Sequence, residues 1–295
     1  MSTMSKSPVA VLRTALHVAQ GALAAYSHVN SPKKFTQHQL FACLVLKAAM
    51  RLDYRGLQAL FIDCSDLRDA IGLKVVPHWT SLQKAAARLL HDDTVVRLLD
   101  ATLAGGSAST PRAAVDSTGF ATHHASAYYT RRRRETGDVG SRTQYHAFPK
   151  LALLCDGTNH QILASRTGAG PSPDVVDFVG LLEQALSRRR IHWVSGDAGY
   201  DSETNHRLAR ETLKVRTVIP PTRGRPTKDG KPPKGRYRRL MSTRFNKPEY
   251  GQRWQSETVM SMIKRRQGEA VWSRSSDAWA RDMTLMVLTH NILIP

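Results

Sequence analysis

The chain has 295 residues, of which 41% are hydrophobic and 7% aromatic, so a buried core is expected and wholesale disorder is not. Lys and Arg outnumber Asp and Glu by 43 to 24, and the resulting net charge of +19 favours a polyanionic partner, nucleic acid above all. The cysteines Cys43, Cys64 and Cys155 lack the spacing of a zinc site, and no apolar run reaches the length of a membrane span.

Helical periodicity dominates the first hundred or so residues. Apolar side chains recur at helical intervals between Val9 and Leu23. Thr36 is predicted to cap a helix that runs through Ala49, and Thr80 a helix that runs through Leu90. Residues 1–105 are therefore expected to form a small helical domain.

The pattern changes after a Gly- and Ser-rich linker at residues 105–111. Short apolar strands are predicted at 113–116, 151–155, 161–165, 191–195 and 215–219, with helices at 175–186 and 202–213. Three successive strands predict an antiparallel meander, and the strand-helix-strand unit that follows predicts parallel pairing. This is the order of a ribonuclease H-like fold, so we expect an α+β protein with a mixed sheet and flanking helices over residues 112–295.

Two segments, 131–146 and 222–248, are strongly basic. The second carries ten Lys or Arg between Thr222 and Lys247 against a single acid, Asp229. Charge runs are often only solvated loops, but the position of this one just before a candidate catalytic helix favours a DNA-contacting arm. The candidate DNA contacts in the two segments are Arg131, Arg132, Arg133, Arg134, Arg236, Arg238 and Arg239.

Tyr250, Arg253, Glu257 and Lys264 follow one another at steps of three, four and seven residues. At about 3.6 residues per turn these steps predict that all four lie on one helix face. A phenol, a guanidinium, a carboxylate and an ammonium group together present a metal ligand flanked by phosphate-binding groups. Phosphodiester chemistry needs this combination.

The same four residues resemble the YREK signature of bacterial insertion-sequence DDE transposases. The stretches 114–120 and 196–201 are similar to the two acidic motifs of that group, and the resemblance runs from about Arg112 to the C-terminus. It implies that Asp116, Asp197 and Glu257 form a catalytic triad of metal ligands for Mg²⁺ or Mn²⁺. Two such ions would support in-line displacement at phosphorus.

The resemblance also implies partners. Arg253 and Lys264 would hold phosphates of the element end, and Tyr250 would donate a hydrogen bond to a phosphate near the cut. We expect double-stranded DNA as the partner, namely terminal inverted repeats and target DNA. Residues 1–105 would recognise the repeats and support a homodimer on DNA, in a cytoplasmic, nucleoid-associated protein of a bacterium or archaeon.

Several alternatives stay open from the sequence. Asp201 competes with Asp197 but is expected to cap the next helix, Asp156 is a weaker acidic candidate, and Glu257 could form an ordinary helical ion pair. Base stacking by Trp254 and Trp272, or DNA contact by His123 and His124, is less expected than structural roles. Two other functions also fit: a ribonuclease H-like nuclease or junction resolvase without strand transfer, and an inactive DNA-binding relic.

Overall fold

The computed structural model describes residues 4–122, 147–222 and 233–294. Six helices come first, as the apolar periodicity predicts. Thr36 caps the second helix through a reciprocal capping box with Gln39, which confirms that prediction. The predicted cap at Thr80 is wrong, because the helix already begins at Trp79 and the His78 ring accepts the Thr80 N–H. The six helices are α1 (Pro8–Ala22), α2 (Gln37–Ala49), α3 (Tyr54–Asp63), α4 (Ser65–Asp69), α5 (Trp79–Leu89) and α6 (Asp92–Thr102).

A five-stranded mixed sheet follows the helices. Its strands are β1 (Ser109–Gly119), β3 (Phe148–Asp156), β4 (Ile162–Gly170), β5 (Arg190–Ser195) and β6 (Arg216–Val218), in the spatial order β4-β3-β1-β5-β6. The β1–β3 and β3–β4 pairs are antiparallel, whereas β1–β5 and β5–β6 are parallel. The predicted meander, parallel unit and ribonuclease H-like α+β fold are thus confirmed. A separate two-stranded sheet pairs β2 (Ala121–Thr122) with β7 (Ala270–Val271).

Helical segments connect and flank the strands. They are α7 (Phe178–Leu186), α8 (Glu203–Arg207), α9 (Arg236–Thr243), α10 (Lys247–Tyr250), α11 (Trp254–Gln267) and α12 (Ser276–Leu293). Short 3₁₀ turns precede α7, α8 and α11, at Asp174–Val176, Ala198–Tyr200 and Gly251–Arg253, and a π-turn at Leu208–Thr212 extends α8.

The two faces of the sheet belong to different hydrophobic cores. Alternate residues of a strand point to opposite faces, so Val115 packs with α7 while Ala114 packs on the other side. That second core contains α11 and α12 and continues without a break into the helices α1 to α6. The N-terminal helices therefore share one core with a face of the sheet. The functional division between residues 1–105 and 112–295 stays a prediction.

The three cysteines differ in burial. Cys43 and Cys155 are buried and Cys64 is half-buried, and all three are free thiols. Within the described ranges no helix is both long and apolar enough to cross a membrane.

Candidate active site

Asp116 and Asp197 lie at the same edge of the sheet. Asp116 is in β1 and Asp197 lies two residues after the end of β5, and the two strands pair in parallel with Ala114 opposite Ser195. Parallel strands end at the same edge of a sheet. Each aspartate lies two residues beyond the paired Ala114 and Ser195, so both carboxylates lie at that edge. The predicted adjacency of these two strands is thereby confirmed.

Backbone N–H groups hold both aspartates in place. Asp116 accepts a hydrogen bond from the N–H of Ser117 at 2.8 Å, and Asp197 accepts one from the N–H of Gly199 at 2.9 Å. Gly196 is required between β5 and Asp197, because a Cβ atom there would lie 2.8 Å from Cγ1 of Val115. The side chains of the two aspartates are thus oriented by the local backbone rather than by distant partners.

Helix α11 brings Glu257 towards these strand ends. Its fully buried Val259 and Ile263 pack on the core that contains Ala114, the β1 face to which Asp116 also belongs. Glu257 itself is 54% exposed and accepts a hydrogen bond from Nη2 of Arg253. Nη1 of Arg253 lies 3.9 Å from Oδ2 of Asp116. The guanidinium therefore stands between two of the three carboxylates.

The charges of the site act on one another. Burial, together with the negative charges of Asp197 and Glu257, raises the pKa of Asp116 to about 6. The Ser117 N–H and the Arg253 guanidinium act in the opposite direction. Among the described residues no three His, Cys, Asp or Glu side chains are grouped closely enough to hold a metal ion. Arg253, not a ready-made metal cluster, supplies the positive charge in this arrangement.

The segment that carries Tyr250, Arg253, Glu257 and Lys264 is helical throughout, but it is not the single regular helix predicted. Tyr250 ends α10, Arg253 ends a 3₁₀ turn, and only Glu257 and Lys264 belong to α11. The Arg253 guanidinium lies 5.8 Å from the centre of the Tyr250 ring, and Nζ of Lys264 lies 5.4 Å from that of Phe120. Lys264 is thus placed at the end of β1 rather than against the carboxylates.

The two competing aspartates have structural partners. Asp201 accepts hydrogen bonds from Nε of Arg238 at 2.8 Å and from the N–H of Thr222 at 2.7 Å. The prediction that it caps the next helix is wrong, because Ser202 is the cap of α8. Asp156 forms a buried ion pair with Nη1 of Arg189 at 2.8 Å, three register positions from Asp116.

Three residues that sequence reasoning missed lie beside the carboxylates. Oγ of Ser117 donates to Oδ1 of Asp174 at 2.5 Å, and the largely buried Lys150 places Nζ 2.7 Å from the same oxygen. A Cβ atom on Gly199 would lie 3.1 Å from Oδ2 of Asp174, so this carboxylate also abuts the turn after β5. Asp174 therefore lies against both Ser117 of β1 and the turn that follows β5. No motif marked it, since it follows a Pro- and Ser-containing turn.

The predicted DNA contacts fall into two groups. Arg131, Arg132, Arg133 and Arg134 lie outside the described residues, as do His123 and His124. In α9, Arg238 is engaged in an ion pair with Asp201 at 2.7 Å. Nε of Arg239 is 3.4 Å from the carbonyl oxygen of Pro233, and the Arg236 guanidinium lies 5.3 Å from the Tyr237 ring.

The fold is a ribonuclease H-like mixed sheet, and its adjacent strands β1 and β5 bring Asp116 and Asp197 to the same side of the sheet. Residues 107–292, well over half of the chain, match the family model of the transposase DDE domain. The chain therefore belongs to that family of transposases.

Two solved structures are similar in outline. The piggyBac transposase synaptic complex with hairpin DNA is 11% identical at a TM-score of 0.46, over 99% of this chain and 77% of that one. A pre-cleavage Mos1 transpososome is 11% identical at a TM-score of 0.25, over 92% of this chain and 81% of that one. No curated protein matches the chain.

Proposed function

We propose that this transposase cleaves DNA at the ends of its element and joins them to target DNA, with Asp116, Asp197 and Glu257 as the ligands of two divalent ions. The observation that carries the proposal is the convergence at one sheet edge of Asp116 and Asp197, with Glu257 close enough to shift the pKa of Asp116. Membership of the transposase DDE family supports the same chemistry.

The carboxylates of Asp116, Asp197 and Glu257 are the type of donor that Mg²⁺ or Mn²⁺ takes, although they are not grouped closely enough to hold an ion while Arg253 lies between Asp116 and Glu257. Both ions prefer carboxylate oxygens, and three carboxylates that share a site repel one another until a cation neutralises them. The raised pKa of Asp116 reflects this repulsion and its burial. When bound, two such ions supply an activated water or 3′-hydroxyl and stabilise the leaving oxygen.

The chain's own side chains hold the ligands and the substrate. The N–H groups of Ser117 and Gly199 fix the aspartate carboxylates, and Arg253 neutralises Asp116 and Glu257 before the ions bind. Once the Arg253 guanidinium is released from these two carboxylates, its parallel N–H groups suit bidentate recognition of a DNA phosphate. Lys264 and Tyr250 would hold neighbouring phosphates of the same strand.

Duplex DNA, both terminal inverted repeats and target, is the proposed partner. A net charge of +19 favours a polyanion of this kind, and the chain belongs to a family of transposases. Of the α9 arginines we assign DNA contact to Arg236 and Arg239, because Arg238 is held by Asp201. Arg131 to Arg134 keep their predicted role, as does a homodimer that synapses two ends through the N-terminal helices.

The test is a cleavage and joining assay with the full chain, Mg²⁺ or Mn²⁺, and DNA that carries the element's terminal repeats. Asp116→Ala, Asp197→Ala and Glu257→Gln should each abolish both products while DNA binding persists. Glu183→Gln, an exposed glutamate on α7, is the matched control and should behave as the parent.

The products also separate the competing functions. Cleavage without joined donor–target DNA would replace the proposal by a nuclease without strand transfer. Tight, salt-sensitive binding with no cleavage by the parent would identify an inactive DNA-binding protein. Cleavage by Glu257→Gln at the parental rate would show that the triad is misassigned.

A further inference from the structure

A basic cavity lies away from the candidate active site, between the N-terminal segment and the end of α11. It has a volume of about 390 Å³ and is lined by four cationic side chains, Lys6, Arg51, Arg265 and Arg266. The rest of its lining is apolar and includes Val11 and Leu46, and none of the described residues that line it is acidic. The cavity therefore concentrates positive charge that no carboxylate in its walls balances.

Three separate segments of the chain are fixed so that these cations converge. Lys6 is held on both sides, because the N–H of Ser5 donates to the carbonyl of Leu293 and Ser7 caps α1. Arg51 follows α2 in a left-handed conformation, at φ 56°, and its Nε donates to the carbonyl of Arg266 at 3.0 Å. Arg265 and Arg266 lie in the last turn of α11. The cluster is thus built by tertiary structure and is not a flexible charge run.

One donor in the cluster has no acceptor in the part of the chain that the structure describes. Nε of Arg266 is buried and has no hydrogen-bond partner among the described residues. A buried donor without an acceptor is unfavourable, and so are four cations around one cavity. An anion with several acceptor oxygens in the cavity relieves the repulsion among the four cations, and arginine forks recognise phosphate best.

We propose that this cavity binds a backbone phosphate of duplex DNA, as a second DNA contact distinct from the catalytic centre. The inference rests on the proposed function for its partner. Arg266 follows Glu257 by nine residues, which places the two side chains on opposite sides of α11 and about 13 Å apart along its axis. The phosphate in the cavity therefore belongs to a different stretch of DNA from the one at Glu257, and it touches the N-terminal part of the chain.

The test measures binding of the full chain, without divalent metal, to a fluorescent duplex of random sequence at several salt concentrations. Random sequence suffices because backbone contacts are independent of sequence. The double variant Lys6→Ala/Arg265→Ala should bind about tenfold more weakly and lower the slope of log affinity against log salt by about 1, the loss of one phosphate contact. Arg51 is left intact because its guanidinium also caps α11.

The matched control is Arg190→Ala/Lys214→Ala. It removes the same charge from two exposed residues, the first residue of β5 and a residue just before β6, at the opposite end of those strands from Asp197. Its salt slope should equal that of the parent. The proposal would be overturned if the slope of log affinity against log salt were the same for both double variants. It would also be overturned if Lys6→Ala/Arg265→Ala lost sulfate-induced thermal stabilisation but bound DNA as the parent does, since the cavity would then take only small anions. If the parent failed to bind DNA at all, the proposed function would fail with it.

Discussion

Replacing Arg253 by Gln should strengthen the binding of a divalent ion while it weakens DNA cleavage. Nη1 of Arg253 lies 3.9 Å from Asp116, and both side chains are only about one-fifth exposed. At an effective dielectric constant of about 20, two unit charges at this distance attract by about 4 kcal/mol. A metal ion must displace or tolerate this guanidinium, so its removal makes the carboxylates better ligands.

Only part of that energy will be measured. Solvent screens the half-exposed Glu257, and the metal-free carboxylates of the variant take up protons more readily once Arg253 is gone. A net gain of about 1–2 kcal/mol corresponds to roughly tenfold tighter binding of the ion. Titrations at pH 8, above the pKa of about 6 for Asp116, remove most of the competition from protons.

The assay is calorimetric titration of the DNA-free protein with Mn²⁺, paired with cleavage of terminal-repeat DNA. Lys264→Gln is the matched control, because it also removes a cation from the segment but from a position over the Phe120 ring. It should reduce cleavage and leave Mn²⁺ affinity unchanged. Unchanged or weaker Mn²⁺ binding by Arg253→Gln would refute the counter-ion role and favour one in which Arg253 orients Glu257.

Two further substitutions test the surroundings of the site and the core. Ser117→Ala and Asp174→Asn should each raise the Mg²⁺ concentration for half-maximal cleavage by about fivefold, the equivalent of one hydrogen bond. The double variant should need no more Mg²⁺ than Asp174→Asn, because both changes remove the same hydrogen bond. Additive effects would show that the two residues act separately. His290 is buried, burial lowers its pKa from 6.5 to about 4, and the neutral ring is hydrogen-bonded to the carbonyl of His160. As the pH falls, the ring therefore binds a proton at a higher pH in the unfolded chain than in the folded one. Its contribution to the free energy of unfolding, measured by urea denaturation, should be fully present above pH 6.5 and fall by about 3 kcal/mol between pH 6.5 and 4. If the difference in free energy of unfolding between the parent and His290→Gln does not change over this range, the buried neutral ring is not the cause.

The sequence located the central apolar part of every strand in the five-stranded sheet, because buried strands must be apolar. It placed the ends less well. In β1 the polar residues Ser109 to Arg112 extend the strand through pairing with β5, and propensity alone gives no reason for this. Asp116, Asp197 and Glu257 could be proposed as catalytic residues because the end of an apolar run and helical spacing are local patterns.

Contacts between distant residues were not predictable in the same way. Ser117 and Asp174 are 57 residues apart, and Asp201 and Arg238 are 37 apart. No periodicity connects such pairs, and polar residues in turns look alike whether or not they approach a site. The same limit explains why Arg253 was assigned only to phosphate, since its place beside Asp116 depends on how α11 crosses the sheet.

The relation between the N-terminal helices and the sheet decides which truncation experiment is informative. The sequence predicts that removing residues before about Gly105 leaves a folded catalytic part that has lost specificity for element ends. The shared core predicts otherwise, because deletion would expose the apolar face that includes Ala114 and Leu153 and would remove the Arg51 cap of α11.

We expect the truncated chain to aggregate or to lose its cooperative thermal transition, with no cleavage. A cooperative transition and intact near-ultraviolet circular dichroism in the truncated chain would show instead that the sheet and its helices are self-sufficient. Exposed residues of α5 such as Lys84 and Arg88 then offer the better test of end recognition, because Ala substitutions there leave the common core untouched. Specificity that survives both substitutions would move recognition of the ends away from this helix.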